Sequence, residues 1–271
     1  KNIIGVSCGA ILGLFITIGY DIDEIFKIVE RTEWSDLDEN GDLFQLIEVL
    51  GLNSGKKLID LLSDIMEQKI NVRDITFKEL EKITKKTLYI QATNLTKQSL
   101  ETFSPTSTPD MSVIAAIRMS ISIPLVFEPI LYNKSLYIDG GVISNFPDIE
   151  TISHIFTNDT TLGFLLNKNS SNTPLSQPDI NDVSDVSLIQ YIINLFDCLL
   201  KQGNTRLPMC VVNFSAIQNN DIEPMNLFIN AEIKTKLLQL GIDTAKEFLK
   251  NNDKLLQPMV QPMLQPMLQP M

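Results

Sequence analysis

The chain is short of the residues that most often carry enzyme chemistry. Its 271 residues include one histidine, His154, which excludes any mechanism that needs two imidazoles. Three cysteines, Cys8, Cys198 and Cys210, are too few and too scattered for a disulfide framework or a zinc site. A reduced, cytoplasmic setting is therefore expected. Positive charge is scarce as well, with 22 Lys+Arg against 33 Asp+Glu and a net charge of −11. That balance argues against a nucleic-acid partner, which needs a basic footprint. It argues equally against electrostatic docking on anionic lipid, so any peripheral membrane contact has to be hydrophobic and local. Glycines are adjacent only at Gly140-Gly141. What is present is ordinary for a globular α/β protein: 44% hydrophobic and 20% charged residues, in a length that suits one large domain.

The ends stand apart. The chain starts at Lys1 without an initiator Met, so the expectation is a fragment or processed form. Asn2 to Tyr20 carries no charge. On length it raises the question of a membrane span, but its four glycines suit a buried strand followed by a buried helix better. From Gln257 to Met271 the sequence repeats Gln-Pro-Met-Val/Leu every four residues. Prolines at that spacing predict an extended or disordered low-complexity tail, taken here as residues 251–271, with a domain over residues 1–250.

Between the ends, strands alternate with helices. Strands are expected at Asn2–Val6, Leu88–Leu95, Thr161–Leu166 and Met209–Phe214, with a hairpin at Leu131–Ile138 around Asn-Lys-Ser. Helices are expected at Cys8–Ile18, Asp21–Arg31, Lys57–Gln68, from the capping box Thr76-Phe77-Lys78-Glu79, at Ser112–Met119 and across Asn226–Lys250. The alternation implies an α/β layered fold with a mainly parallel sheet. Lys168–Ser187 reads as a polar surface loop. Leu188–Lys201 reads as a helix with one thin polar edge, suited to the core or to a lipid-facing lid.

Gly5-Val6-Ser7-Cys8-Gly9 sits between a predicted strand and a predicted helix, the context of a nucleophile elbow. Small residues on either side let strand and helix meet in a tight turn that presents the Ser7 hydroxyl. The helix N-terminus favours negative charge there, and the Cys8 amide is placed to donate to an oxyanion. A serine hydroxyl needs a base within hydrogen-bond reach. Tyr137-Ile138-Asp139-Gly140-Gly141-Val142-Ile143-Ser144-Asn145-Phe146-Pro147 offers one: a carboxylate at a strand end, beside paired glycines that free the backbone.

Ser7 in its Gly-x-Ser-x-Gly-Ala setting, followed 132 residues later by Asp-Gly-Gly-x-x-x-Asn-x-Pro, closely resembles the patatin-like lipid acyl hydrolases. Gln91–Leu95, Ser120–Pro129 and Lys236–Leu249 also look like that family, over about residues 1 to 250. The resemblance implies a three-layer α/β/α fold and a Ser–Asp dyad that needs no metal or other cofactor. Ser7 would be the nucleophile toward a phospholipid or other lipid ester and Asp139 the proton acceptor. Gly140 and Gly141 would shape the loop around Asp139, and Asn145 and Pro147 would be structural. The family carries a glycine-rich oxyanion loop on a strand upstream of the serine, and nothing precedes Lys1. The expectation is thus a hydrolase whose present chain retains the Cys8 amide, lacks the other donors and is poorly active. The alternative is a patatin-like shell that binds lipid without catalysis.

Two further patterns compete. His154 follows Asp139 by 15 residues, giving the order Ser, Asp, His of a conventional esterase triad. Asp36-Leu37-Asp38-Glu39-Asn40-Gly41-Asp42 begins like a calcium-binding EF-hand loop, but Ile47 stands where that loop requires a bidentate Glu. An acidic turn between helices is the simpler reading of that stretch.

Overall fold

The computed structural model describes residues 1–148, 155–156, 161–167, 211–215 and 231–264. Two compact units emerge, Lys1–Thr151 with Pro178–Thr205, and Ile152–Gln177 with Arg206–Met271.

The first unit opens with strand β1 (Asn2–Val6) and helix α1 (Cys8–Ile18). The helix stops at Gly19, whose left-handed φ of 95° lets its N–H bond back to Phe15 O. The uncharged N-terminal run is thus divided between a strand and a short helix. Among the described residues no helix is long and apolar enough to cross a membrane. Helix α2 (Ile22–Arg31) starts in a reciprocal capping box between Asp21 and Glu24. Helix α3 (Leu43–Val49), strand β2 (Gly51–Asn53) and helix α4 (Lys56–Ile70) follow. The capping box read at Thr76–Glu79 opens helix α5 (Phe77–Thr84).

Strand β3 (Thr87–Asn94) is the spine of the unit. It pairs in parallel with β1 and antiparallel with β4 (Ser99–Phe103). After helix α6 (Val113–Ser120) and the short strand β5 (Leu125–Phe127), the predicted hairpin forms as β6 (Ile130–Tyr132) and β7 (Ser135–Ile138), and β7 pairs antiparallel with β3. The parallel pairing expected from the sequence is found at β1–β3 and β2–β5; antiparallel strands extend the sheet beyond it. Leu88, Ile90 and Ala92 of β3 meet Ala10, Leu14 and Phe15 of α1 and the buried faces of α4, α5 and α6 in one core.

In the second unit β8 (Gly163–Asn167) and β9 (Val211–Ser215) pair in parallel, with Leu165 and Val212 buried. Helix α7 (Ala231–Leu264) packs on β9. It bends at Asn252, whose side-chain amide donates to Phe248 O at 2.9 Å. The sequence predicts that proline keeps the chain from Gln257 out of helix, and the backbone to Leu264 is helical instead. Pro258 and Pro262 lie four residues apart, so their missing amide donors fall on one side of the helix and the opposite side keeps its ladder. His154, the loop read at 168–187, the helix read at 188–201 and residues 265–271 of the tail lie outside the described residues.

Three carboxylates of the acidic stretch that imitates an EF-hand are engaged by nearby protein donors. Asp42 caps α3 through Gln45 N, Glu39 accepts from the amide and hydroxyl of Ser54, and Asp38 accepts from Asn40 N. Among the described residues no group of His, Cys, Asp and Glu could hold a metal ion.

Candidate active site

The ladder registers decide where Ser7 and Asp139 end up. Ile90 and Gln91 pair with both β1 and β4, and Thr93 and Asn94 pair with both β4 and β7. A strand has two edges, so β1 and β7 share the edge that β4 leaves. They run along it in opposite senses and converge head-on, β1 ending at Val6↔Gln91 and β7 at Ile138↔Thr93. The next residues on the two strands are Ser7 and Asp139. The Ser7 hydroxyl donates to Asp139 Oδ2 at 2.5 Å.

Ser7 occupies φ 54°, ψ −129°, a conformation costing a non-glycine residue on the order of 1–3 kcal/mol. The strain has a visible use. Ser7 is the N-cap of α1, a position where serine normally accepts from the first helical turn, yet its side chain makes no capping bond. The hydroxyl is committed to Asp139, and the first-turn amides of Cys8 and Gly9 have no carbonyl partner within the helix. Gly5 is required because a Cβ there would lie 2.3 Å from Gly9 O. Gly9 differs from its sequence reading as a closely packed small residue: a Cβ there meets nothing within 4 Å.

Asp139 is 5% exposed. Burial pushes its carboxyl up to about 6, against the opposing hydrogen bonds from the Ser7 hydroxyl and the Gly141 amide, the latter 2.7 Å from Oδ1. Gly140 passes over β3 so closely that a Cβ would meet Gln91 O at 2.6 Å and Val6 Cγ1 at 2.9 Å. At Gly141 a Cβ would stand 3.0 Å from Asp139 Oδ1 and 3.5 Å from Asn145 Oδ1.

Three supporting residues carry no role in the sequence reading. Ser120 accepts from the Ser7 amide at 2.9 Å and donates to Gln91 O at 2.7 Å, tying the strained turn to β3. The Ser122 carbonyl accepts from the Asp139 amide at 2.8 Å. Arg118, 7% exposed, donates to Ser122 Oγ, Ser54 O and Glu128 O, locking the chain around Ser122 between α4 and β5. Burial pulls the Arg118 guanidinium down from its ordinary value. The visible signal was a lone charge in the apolar run Val113–Met119.

A sequence model described as patatin-like phospholipase matches residues 1–149. An uncharacterised protein of Acanthamoeba polyphaga mimivirus is 31% identical over 259 residues, covering 91% of this chain and 82% of its own length. A probable lipid hydrolase of Invertebrate iridescent virus 6 is 37% identical over 150 residues, 54% of this chain and 51% of that protein. The chain thus spans about half the length of that second relative. VipD from Legionella pneumophila shares the fold, with a TM-score of 0.55 at 17% identity over 93% of this chain and 61% of VipD. The motifs around Ser7 and Asp139 fall inside the matched region, and the chain belongs to the patatin-like phospholipase family.

Proposed function

We propose that this protein is a lipid acyl hydrolase working through a Ser7–Asp139 dyad. The 2.5 Å bond from the Ser7 hydroxyl to a buried carboxylate carries the reading. Ser7 Oγ attacks the ester carbonyl while its proton passes to Asp139 Oδ2, and the carbonyl oxygen becomes an oxyanion facing the Cys8 amide. Collapse breaks the bond to the alcohol, which leaves with the proton from Asp139. Asp139, again a carboxylate, takes a proton from water as the water attacks the acyl-serine; collapse breaks the bond between Ser7 Oγ and the acyl group, Asp139 returns that proton to Ser7 Oγ, and the fatty acid leaves. Phospholipids and other lipid esters are the substrate class that family membership and the iridescent-virus relative support.

The test is hydrolysis of a short-chain nitrophenyl ester and of a lysophospholipid by the protein beside Ser7→Ala, Asp139→Asn and His154→Ala. Loss in the first two with the third unaffected is expected. Activity that survives Ser7→Ala overturns the hydrolase reading, and loss with His154→Ala replaces the dyad with a triad.

A further inference from the structure

Helix α3 turns an apolar face outward. Leu46 is its buried anchor, while Phe44 and Ile47, on the opposite side, are 75% and 71% exposed. Leu50 continues the patch at the helix end, 56% exposed, in a left-handed conformation (φ 63°) that normally selects glycine. A second leucine with positive φ, Leu125 (φ 71°), pairs with Gly51, the residue after Leu50. Two leucines at positive φ therefore meet at one end of the β2–β5 ladder. The β2–β5 ladder leads back along the chain to the catalytic pair. Leu125 is three residues, at most about 11 Å of chain, from Ser122, whose carbonyl holds the Asp139 amide.

Charge selects the occupant. Thr32–Gly55 holds six acidic residues and no Lys or Arg of its own, and the Lys57 ammonium that reaches the stretch is bound to the carbonyls of Asp36 and Asp38 rather than to α3. Asp42 and Glu48, at the two ends of α3, are exposed beside the apolar side chains. An anionic surface is repelled by such a rim, whereas the trimethylammonium groups that cover a choline-headed lipid surface complement it. We infer that Phe44, Ile47 and Leu50 dock this protein on a zwitterionic, choline-headed lipid surface and bring the Ser7–Asp139 site to its substrate. The inference rests on the lipid-ester reading for its purpose, but its test needs no turnover.

Sucrose-loaded phosphatidylcholine vesicles are sedimented with the Ser7→Ala protein and with Ser7→Ala carrying Phe44→Ser and Ile47→Ser. The expected result is binding by the first, at least a tenfold lower partition coefficient for the second, an unchanged thermal midpoint, and weaker binding of both to phosphatidylglycerol vesicles. Phe44→Trp should retain binding and shift its emission to the blue on phosphatidylcholine. No binding to phosphatidylcholine, equal binding by the substituted protein, or stronger binding to phosphatidylglycerol overturns the inference. So does a dimer that the two serines convert to monomer with vesicle binding unaltered, which would assign the face to a second copy of the chain. Because catalysis is absent throughout, failure here is separate from failure of the hydrolase reading.

Discussion

Asp139 is both the proposed base and a buried carboxyl held at about 6, so one environment sets its reactivity and its burden on the fold. As a base it must be ionised. The rate at low substrate is expected to fall about tenfold per pH step below about 6 and to level off above it, which a pH profile of kcat/KM on a soluble ester checks. For stability the sign is opposite. A carboxyl raised in the folded state favours the protonated form, so its contribution is complete below the unfolded value near 3.9 and is lost as pH rises through about 6. Asp139→Asn retains an acceptor for Gly141 N and a partner for Ser7 Oγ without the charge. That variant should lose about 10³-fold or more in activity and gain about 3 kcal/mol above pH 6, a gain that vanishes near pH 4. Urea titrations of both proteins at the two pH values measure it. Ser120 is a quieter member of the site: Ser120→Ala leaves the Ser7 amide without its acceptor, at about 1–3 kcal/mol. The family-like segment Ser120–Pro129 begins at that serine, but nothing in the sequence marks what it binds. Its partner lies 113 positions away, and a side chain that caps a backbone amide leaves no periodic trace.

Elements succeed or fail as sequence signals according to how much of their stability is local. Helix α5 announces itself because its capping box is closed by residues three apart, and α2 closes the same kind of box between Asp21 and Glu24. Strands β2 and β5 are three residues each and hold only one another, more than 70 positions apart, whereas β4 lies next to β3 in the chain but has neither alternation nor an apolar run to announce it. The junction of β1 with α1 is the intermediate case. Its glycines are plain in the sequence, but which of them is crowded is decided by how closely the helix approaches the strand. Gly5→Ala should destabilise by about 1–3 kcal/mol or more, since α1 must move to admit the methyl group. Gly9→Ala should be neutral or stabilising by up to ~1 kcal/mol, because its Cβ enters open space on a helical backbone. Comparing the two denaturation midpoints checks the pair, and equal losses would refute the close-approach argument. Arg118 joins α4, α6 and β5 through three acceptors that its loss would orphan. Arg118→Leu should cost about 3 kcal/mol or more, and Arg118→Lys should recover only part, because an ammonium lacks the planar fork.

For the whole molecule, net charge governs which surfaces it approaches before any local contact forms. A protein at −11 is repelled by an anionic bilayer at a distance set by ionic strength, about 10 Å at 0.1 M salt and 3 Å at 1 M. A protein that docks through a basic patch loses membrane affinity as salt rises, because screening weakens its attraction. Here screening weakens a repulsion, and the apolar contact of Phe44 and Ile47 is untouched by it. Partition onto phosphatidylglycerol vesicles should therefore rise between 0.1 and 1 M salt, while partition onto phosphatidylcholine changes little, the acidic rim supplying only a minor share of that attraction. Sedimentation at the two salt concentrations measures both. A fall on phosphatidylglycerol would mean that a cationic patch outweighs the overall charge, and the argument that assigns α3 a zwitterionic partner would fail with it.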